Sequence, residues 1–145
     1  MLCGVMRDTQ RQRVYNAERE TSMWDKDRID NIHDVREFVG KITRSAWYRR
    51  RFKTYSSILV KDGRRCRRAM GGFGVINLPC WTRTRLVILH ELSHAVQPPS
   101  AWHGREFCKI YLAFVKKWMG VEAYEELKAS FKARGVKYVT GNVKV

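Results

Sequence analysis

Three histidines and one glutamate are the residues of this chain whose types and spacing suit metal chemistry. His90 and His94 stand four residues apart in the run His-Glu-Leu-Ser-His, and His103 follows nine residues later. Residues four apart on an α-helix lie on the same face, so both imidazoles can reach one ion while Glu91 is angled towards its open side. We therefore predict that His90, His94 and His103 bind one metal ion and that Glu91 is a catalytic base.

The chemistry that this set predicts is hydrolysis with one Zn²⁺ ion. Neutral imidazole suits zinc, and a catalytic zinc site uses three protein ligands and leaves a fourth position for water. The ion lowers the pKa of that water to about 7, and a carboxylate can take its proton and deliver it to the leaving group. The alternative is that His90 and His94 are hydrogen-bonded core histidines that bracket Glu91 by chance.

A buried helix must carry the first two histidines. Residues 86–89 read Leu-Val-Ile-Leu and are apolar on every side of a helix, Thr82 or Thr84 can cap its start, and the prolines at 98 and 99 must end it. The loop 97–102 then has to return the chain so that His103 meets the ion. Gly104 permits a tight turn into the next helix.

The remaining segments predict an α+β fold around that helix. Apolar runs at 58–60 and 75–78 indicate strands, and Asp62-Gly63 favours a hairpin turn with a return strand over 64–69. We expect a small three-stranded, mainly antiparallel sheet packed on the central helix. Further helices are expected over 7–20, from 34 to 44–47, and over 105–119 and 121–134, with a short strand over 136–140.

The length of 145 residues suits one domain, and the apolar fraction of 44% is typical of folded proteins. We divide the domain into an N-terminal helix and linker (1–33), a zinc-hydrolase core (34–135) and a short tail (136–145). No apolar run approaches the roughly 18 residues of a membrane span, and residues 1–6 are too short for a signal-peptide core. We therefore expect a cytoplasmic protein without a membrane partner.

Four cysteines complete the set of metal-binding or redox residues. They form no Cys-x-x-Cys pair, which excludes a zinc ribbon and a thioredoxin-like motif. Reduced thiols in a cytosolic protein and a disulfide framework are the two interpretations. The cysteines are Cys3, Cys66, Cys80 and Cys108.

The net charge of +15 comes from residues 38–145, which hold 22 basic and six acidic residues. A positive field attracts nucleic acid, although solubility alone also explains many basic proteins. The run 44–55 mixes Lys and Arg with aromatic residues, so it is either a nucleic-acid surface or a solvated loop whose aromatics belong to the core. The candidate nucleic-acid contacts are Arg49, Arg50, Arg51, Lys53, Arg64, Arg65, Arg67 and Arg68.

The histidine pentad at 90–94 and the run His-Gly-Arg-Glu-Phe-Cys at 103–108 together resemble the SprT-like zinc metalloproteases. That group carries a helical HExxH and a downstream His-Gly, followed by two variable residues and Phe. The resemblance spans about residues 57–119 and implies a minimal zincin fold with His103 as third ligand. This chain lacks the C-terminal zinc ribbon that many SprT-like proteins carry. The SprT-like proteases that act on DNA-crosslinked proteins also have DNA-binding elements, for which only the basic region 44–68 is available here.

A closer likeness includes residues 7–15, Arg-Asp-Thr-Gln-Arg-Gln-Arg-Val-Tyr, and the helix within 120–135. These segments resemble a small family of metallohydrolases from actinobacteria and their phages, whose substrate is not known. The family tends to begin near the residue equivalent to Met6, which predicts translation from that position. Phage origin would place the protein in the host cytoplasm.

Three functions fit these observations. The leading hypothesis is a zinc metallopeptidase that acts on proteins or peptides, including nucleic-acid-associated proteins, with 75–78 as an edge strand that pairs with substrate. The second is a nucleic-acid-binding module in which Cys108 or Cys80 closes a structural zinc site. The third is a hydrolase of a non-peptide amide.

Groups that would support catalysis are less clearly marked in the sequence. Arg105, Tyr111 and Tyr48 are candidates to stabilise an oxyanion. Glu106 is either a hydrogen-bond partner of a ligand histidine or a solvent-facing helix residue.

Overall fold

The computed structural model describes residues 8–98 and 101–140. Met6, Pro99 and the last part of the predicted tail lie outside the described residues. Within them the chain forms six α-helices and a three-stranded mixed sheet, so the predicted α+β class is confirmed. The elements are α1 (Arg11–Arg19), α2 (Ile32–Arg44), α3 (Ala46–Arg51), β1 (Leu59–Asp62), β2 (Met70–Gly72), β3 (Val75–Leu78), α4 (Arg85–Ala95), α5 (Arg105–Met119) and α6 (Val121–Ala133).

The sheet has the order β1-β3-β2, with β1 parallel to β3 and β2 antiparallel to it. The expected hairpin at Asp62-Gly63 is therefore wrong, and so is a mainly antiparallel sheet. The amide of Gly63 donates to the carbonyl of Leu78 at 3.1 Å, and the carboxylate of Asp62 accepts from the buried Arg83 at 2.6 Å. These bonds hold the turn at the end of β3, so the chain does not fold back beside β1.

The hairpin lies instead between β2 and β3, at Phe73-Gly74. Both residues have positive φ, 52° and 74°, as a two-residue turn of the type I′ class requires. Phenylalanine seldom adopts this conformation, which explains why the sequence pattern favoured Asp-Gly. The predicted return strand over 64–69 is consequently loop, and β2 begins at Met70.

Strand β3 lies in the middle of the sheet, so the expectation that 75–78 is an edge strand is wrong. The edges are β1 and β2, and β2 packs directly on α4. A β-carbon on Gly71 would lie 2.2 Å from the carbonyl oxygen of Glu91. The missing side chain at Gly71 therefore permits strand and helix to touch at the residue that carries the predicted base.

Helix α4 is the buried centre of the fold, as predicted. The side chain of Thr84 caps it by accepting from the amide of Val87 at 3.3 Å. All its residues from Leu86 to Ala95 are buried except His94, which is partly exposed. Helix α5 covers the face of α4 that points away from the sheet.

The N-terminal and C-terminal segments pack against each other. Helix α1 covers most of the predicted 7–20 segment; it buries Val14 and Ala17 against α6 and exposes Arg11, Gln12 and Arg13. The segment 136–140 is extended but forms no strand. Its Lys137 instead exchanges backbone hydrogen bonds with the side-chain amide of Gln10, at 2.6 and 3.0 Å.

Helices α2 and α3 complete the described part of the chain. Helix α2 begins at Ile32, two residues before the predicted start, because the side chain of Asn31 caps it by accepting from the amide of His33 at 2.7 Å. Gly120 and Gly135 end α5 and α6 with φ of 102° and 69°, as expected of C-terminal glycines. No helix among residues 8–98 and 101–140 is long and apolar enough to cross a membrane.

Candidate metal centre

The three histidines predicted as ligands come together at one point. Nε2 of His103 lies 3.1 Å from Nε2 of His94 and 3.2 Å from Nε2 of His90. Ligands about 2.05 Å from a tetrahedral ion are separated by about 3.3 Å, so the two spacings fit a shared ion. One nitrogen from each ring lies within 4.8 Å of the others, close enough to hold a metal ion.

The first two ligands project from α4, and the third comes from the turn before α5. Gly104 caps α5 with φ of −73°, an ordinary value, so it does not supply the conformational freedom that the sequence suggested. Trp102 takes the left-handed conformation there, with φ of 42°. Gly104 is small for another reason: a β-carbon would lie 3.0 Å from the carbonyl oxygen of Ala101.

Two carboxylates hold the outer nitrogens of the ligand rings. Nδ1 of His90 bonds to Glu18, whose side chain is 2% exposed, and Nδ1 of His103 bonds to Asp8 at 2.6 Å. The backbone amide of His103 also donates to Asp8, at 3.4 Å. Such partners fix the tautomer and orientation of a metal-binding imidazole, here with Nε2 facing the shared point.

Sequence reasoning missed both carboxylates. It considered Glu106, which is 64% exposed and lies 4.0 Å from Lys109, so the solvent-facing interpretation is the one that the structure shows. Glu18 could have been found, because it follows Val14 and Ala17 at helical spacing on the buried face of α1. An acidic residue on an apolar helix face needs a partner.

The charges around the ligands separate their pKa values. Burial alone would lower the pKa of His90, but the carboxylates of Glu18 and Glu91 outweigh it and raise the value to about 9. Burial, with the positive charge of His90, lowers the pKa of His94 to about 2 and also lowers that of His103. The carboxylates thus favour the protonated form of His90, whereas burial favours the neutral form of His94 and His103.

Glu91 lies next to the ligands without belonging to them. Its side chain is 7% exposed, and burial raises its pKa to about 7, with His90 lowering and Glu18 raising the value. A carboxyl group with a pKa near neutrality is suited to accept a proton and give it back. This is the property that the predicted catalytic base requires.

A cleft of about 410 Å³ opens beside His90 and Glu91. One wall is α1, including Tyr15, and the other is formed by residues of the loop before β2 and of the turn Cys80–Thr82. Of the three histidines, His90 borders this cleft, next to Glu91.

Comparisons of the chain with protein-family models, curated proteins and solved structures found no match. The SprT-like resemblance therefore stays a prediction from the motif residues. What the site can do has to be argued from its own geometry.

Neither Cys80 nor Cys108, the two residues considered as a fourth ligand, belongs to the cluster. Cys80 is exposed, and Cys108 directs its thiol to the carbonyl oxygen of His103, at 3.7 Å. Among the described residues, the group of mutually close ligand atoms comprises the three histidines alone. An open fourth position is typical of catalytic zinc sites, whereas structural sites are closed.

The candidates for oxyanion stabilisation lie in unsuitable places. Tyr111 is fully buried with its ring 5.3 Å from that of His90, and the hydroxyl of Tyr48 donates to the carbonyl of Tyr55 at 2.6 Å. Arg105 is exposed at the start of α5.

Tyr15 is better placed than any of these three. It is half-buried, lines the cleft, and its ring lies 5.9 Å from that of His90 and 5.1 Å from that of His103. Burial raises its pKa, against the lowering effect of Arg11, so the hydroxyl stays protonated and can donate a hydrogen bond. The sequence did not connect Tyr15 with the site, because only tertiary packing brings α1 to the histidines.

The basic and aromatic run 44–55 is largely helix α3. Tyr48 and Phe52 are buried, and Phe52 stacks on Phe114 with ring centroids 5.3 Å apart, so these aromatics belong to the core. Arg51 covers Trp47 at 4.6 Å. The side chains that could have stacked on bases are therefore mostly occupied.

The remaining candidate nucleic-acid contacts fall into three groups. Arg64 pairs with Asp62 at 2.9 Å, while Arg67 and Arg68 line the cleft beside the metal centre. The rest are exposed on the surface, namely Arg49, Arg50, Lys53 and Arg65. Contact with nucleic acid stays a prediction.

Proposed function

We propose that this protein is a zinc-dependent metallohydrolase and, in particular, a metallopeptidase. The observation that carries the proposal is the convergence of His90, His94 and His103 beside Glu91, at the end of an open cleft. Three imidazoles, which form the whole group of mutually close ligand atoms among the described residues, suit catalytic Zn²⁺ better than Mg²⁺ or Ca²⁺, which prefer oxygen ligands.

Zinc at this point would supply a Lewis acid and a water molecule of lowered pKa. Glu91 would accept the proton of the attacking water and return it to the leaving nitrogen, a role that its place beside His90 in the cleft supports. Glu18 and Asp8 hold the imidazoles in place. The hydroxyl of Tyr15 donates to the oxygen that gains charge on the scissile carbonyl.

An extended substrate pairs with the edge of β2 in this proposal. Strand β2 has β3 on one side, and Met70 at its start is 64% exposed, so the opposite edge is accessible in the described part of the chain. Because Gly71 touches α4 at Glu91, a peptide added to this edge would run past the base. Strand β2 therefore replaces β3 as the strand proposed to pair with substrate.

A SprT-like action on nucleic-acid-associated proteins is the corresponding proposal for the biological substrate, supported by the HExxH and His-Gly motif and by the charge of +15. The same charge favours a second candidate, a nucleic-acid-binding module with a structural zinc ion. The buried Glu91 argues against the module, since a structural site needs no base.

Metal content and hydrolysis, measured on the same preparations, test the proposal. The parent should bind about one zinc by mass spectrometry and cleave an unfolded protein or a mixed peptide library. Glu91→Gln should keep the zinc and lose hydrolysis, and His103→Ala should lose zinc. Zinc binding that His103→Ala leaves intact, or a zinc-loaded parent that cleaves no peptide bond in the library, would refute the proposal.

A further inference from the structure

The mouth of the cleft beside Glu91 is lined by positive charges from two separate segments. Arg11 and Arg19 project from α1, and Arg67 and Arg68 project from the loop before β2. The acidic residues that line the same cleft are Glu18 and Glu91, both buried at its base. The exposed part of the cleft is therefore cationic.

These four guanidinium groups are not neutralised by acidic neighbours. Other arginines of the described chain form ion pairs, such as Arg134 with Glu20, but none of the four does so with a described residue. Two of them rest on aromatic rings: Arg11 lies 5.7 Å from the ring centre of Tyr15, and Arg19 lies 5.9 Å from that of Trp24. A guanidinium group has five N–H donors, so one that lies beside an aromatic ring keeps donors for an oxyanion.

The loop that carries two of these arginines is tied to the start of α4. The indole nitrogen of Trp81 donates to the carbonyl oxygen of Arg67 at 3.0 Å. The Trp81 ring is nevertheless 57% exposed and lines the cleft, as does Trp24. Apolar rings thus alternate with guanidinium groups, which suits a ligand that has both carbon chains and carboxylates.

We infer that the substrate of this site is a polypeptide segment with acidic residues next to the cleaved bond, bound by Arg11, Arg19, Arg67 and Arg68. The inference rests on the proposed peptidase function and specifies its substrate class. Arginine binds carboxylates through two parallel hydrogen bonds, and a cleft lined by one sign of charge concentrates ligands of the opposite sign.

The same cleft is less suited to nucleic acid. Its volume of about 410 Å³ is in the range of about 300–1,000 Å³ that holds small ligands, which matches a peptide of a few residues. Its far end is His90 and Glu91, a pair suited to amide hydrolysis. The aromatic residues of 47–52 that would have stacked on bases pack in or against the core instead.

Binding to a hydrolysis-deficient protein tests the inference separately from catalysis. Zinc-loaded Glu91→Gln is titrated into each of two labelled peptides of equal length, and binding is measured by fluorescence anisotropy. One peptide contains Asp and Glu, and the other has Asn and Gln at the same positions. A single-stranded oligonucleotide is the third probe. The acidic peptide should bind at least ten times more tightly than its amide counterpart, with an affinity that falls as salt is raised.

Two double substitutions, one in the cleft and one outside it, test which arginines or lysines bind the acidic peptide. Arg67→Gln with Arg68→Gln, added to Glu91→Gln, should lower the affinity for the acidic peptide about tenfold or more. The matched control is Lys116→Gln with Lys117→Gln, which removes the same charge from another cleft of about 410 Å³. The control should bind as the parent variant does, and circular dichroism checks that both are folded.

Three results would overturn the inference. The first is that the two peptides bind equally or that neither binds. The second is that the two double substitutions have equal effects. The third is that the oligonucleotide binds more tightly than the acidic peptide through Arg67 and Arg68. Failure of the proposed function looks different: the acidic peptide binds through these arginines, but the zinc-loaded parent does not cleave it.

Discussion

The carboxylate of Glu18 bonds to Nδ1 of His90, a residue 72 positions further along the chain. Asp8 makes the equivalent contact with His103 across 95 positions. Both acids precede the rest of the site in sequence, and Glu18 lies on the buried face of α1. Helix α1 is therefore a structural part of the metal centre, although no metal ligand belongs to it.

We predict that Glu18→Gln weakens zinc binding by about 10- to 100-fold, because an amide does not raise the basicity of the ligand ring as a carboxylate does. Competition with a chromophoric zinc chelator measures the change. Glu106→Gln is the matched control, since this exposed side chain lies on α5 away from the ligands. Equal affinities for Glu18→Gln and the parent would contradict the assigned role.

Tyr15→Phe should lower kcat about 100-fold and leave zinc content and KM close to those of the parent. The ring and its contacts with His90 and His103 are kept, and only the donor to the developing oxyanion is lost. Steady-state kinetics on one fluorogenic peptide measures both constants. Tyr124→Phe on α6 is the control, and an unchanged kcat for Tyr15→Phe would exclude the hydroxyl from the chemistry.

Gly71→Ala should destabilise the fold by about 1–3 kcal/mol. Its β-carbon would lie 2.2 Å from the carbonyl oxygen of Glu91, so either β2 or α4 has to move. Gly72→Ala, in the same strand, meets no atom within 4 Å and is the matched control. Urea denaturation compares the free energies of unfolding, and equal losses in both variants would show that the close contact is unimportant.

Stability should fall in alkali because Tyr48 is buried in its protonated form. Burial raises its pKa to about 12, whereas the unfolded chain ionises near 10. Above pH 10 the unfolded state loses a proton that the folded state keeps. The contribution of Tyr48 to the free energy of unfolding is thus complete below pH 10 and is lost as the pH rises through 12.

Between pH 9 and pH 11, ionisation of Tyr48 is expected to lower the free energy of unfolding by about 1 kcal/mol. Urea denaturation at the two pH values measures it, with Tyr48→Phe as the comparison. The variant also lacks the hydrogen bond to Tyr55, so it is less stable at pH 9, but its decline should be smaller by that amount. An identical decline in both proteins would contradict the prediction.

Local patterns predicted the helices well and the sheet poorly. The Thr84 cap, the apolar run before His90 and the glycines after α5 and α6 act within a few residues, so their effects are readable in sequence. The sheet depends on distant contacts. Arg83 holds Asp62 at the end of β3, and Phe73 accepts a positive φ that its residue type seldom adopts.

The site follows the same division. The convergence of the three histidines could be predicted because a helix fixes the spacing of His90 and His94, and because His103 lies close behind them. The carboxylates of Asp8 and Glu18 were not predicted, since only tertiary packing brings α1 to the ligands. The one local signal in the sequence is that Glu18 lies among apolar neighbours on α1.

The side-chain amide of Gln10 donates to the carbonyl oxygen of His103 and exchanges two hydrogen bonds with the backbone of Lys137. The turn that carries the third ligand is thus fastened to parts of the chain that lie far outside the motif. A graft of residues 57–119 into another scaffold would keep every ligand and the base, yet lose the supporting carboxylates and one wall of the cleft. The smallest transplantable unit therefore runs from Asp8 to Lys137.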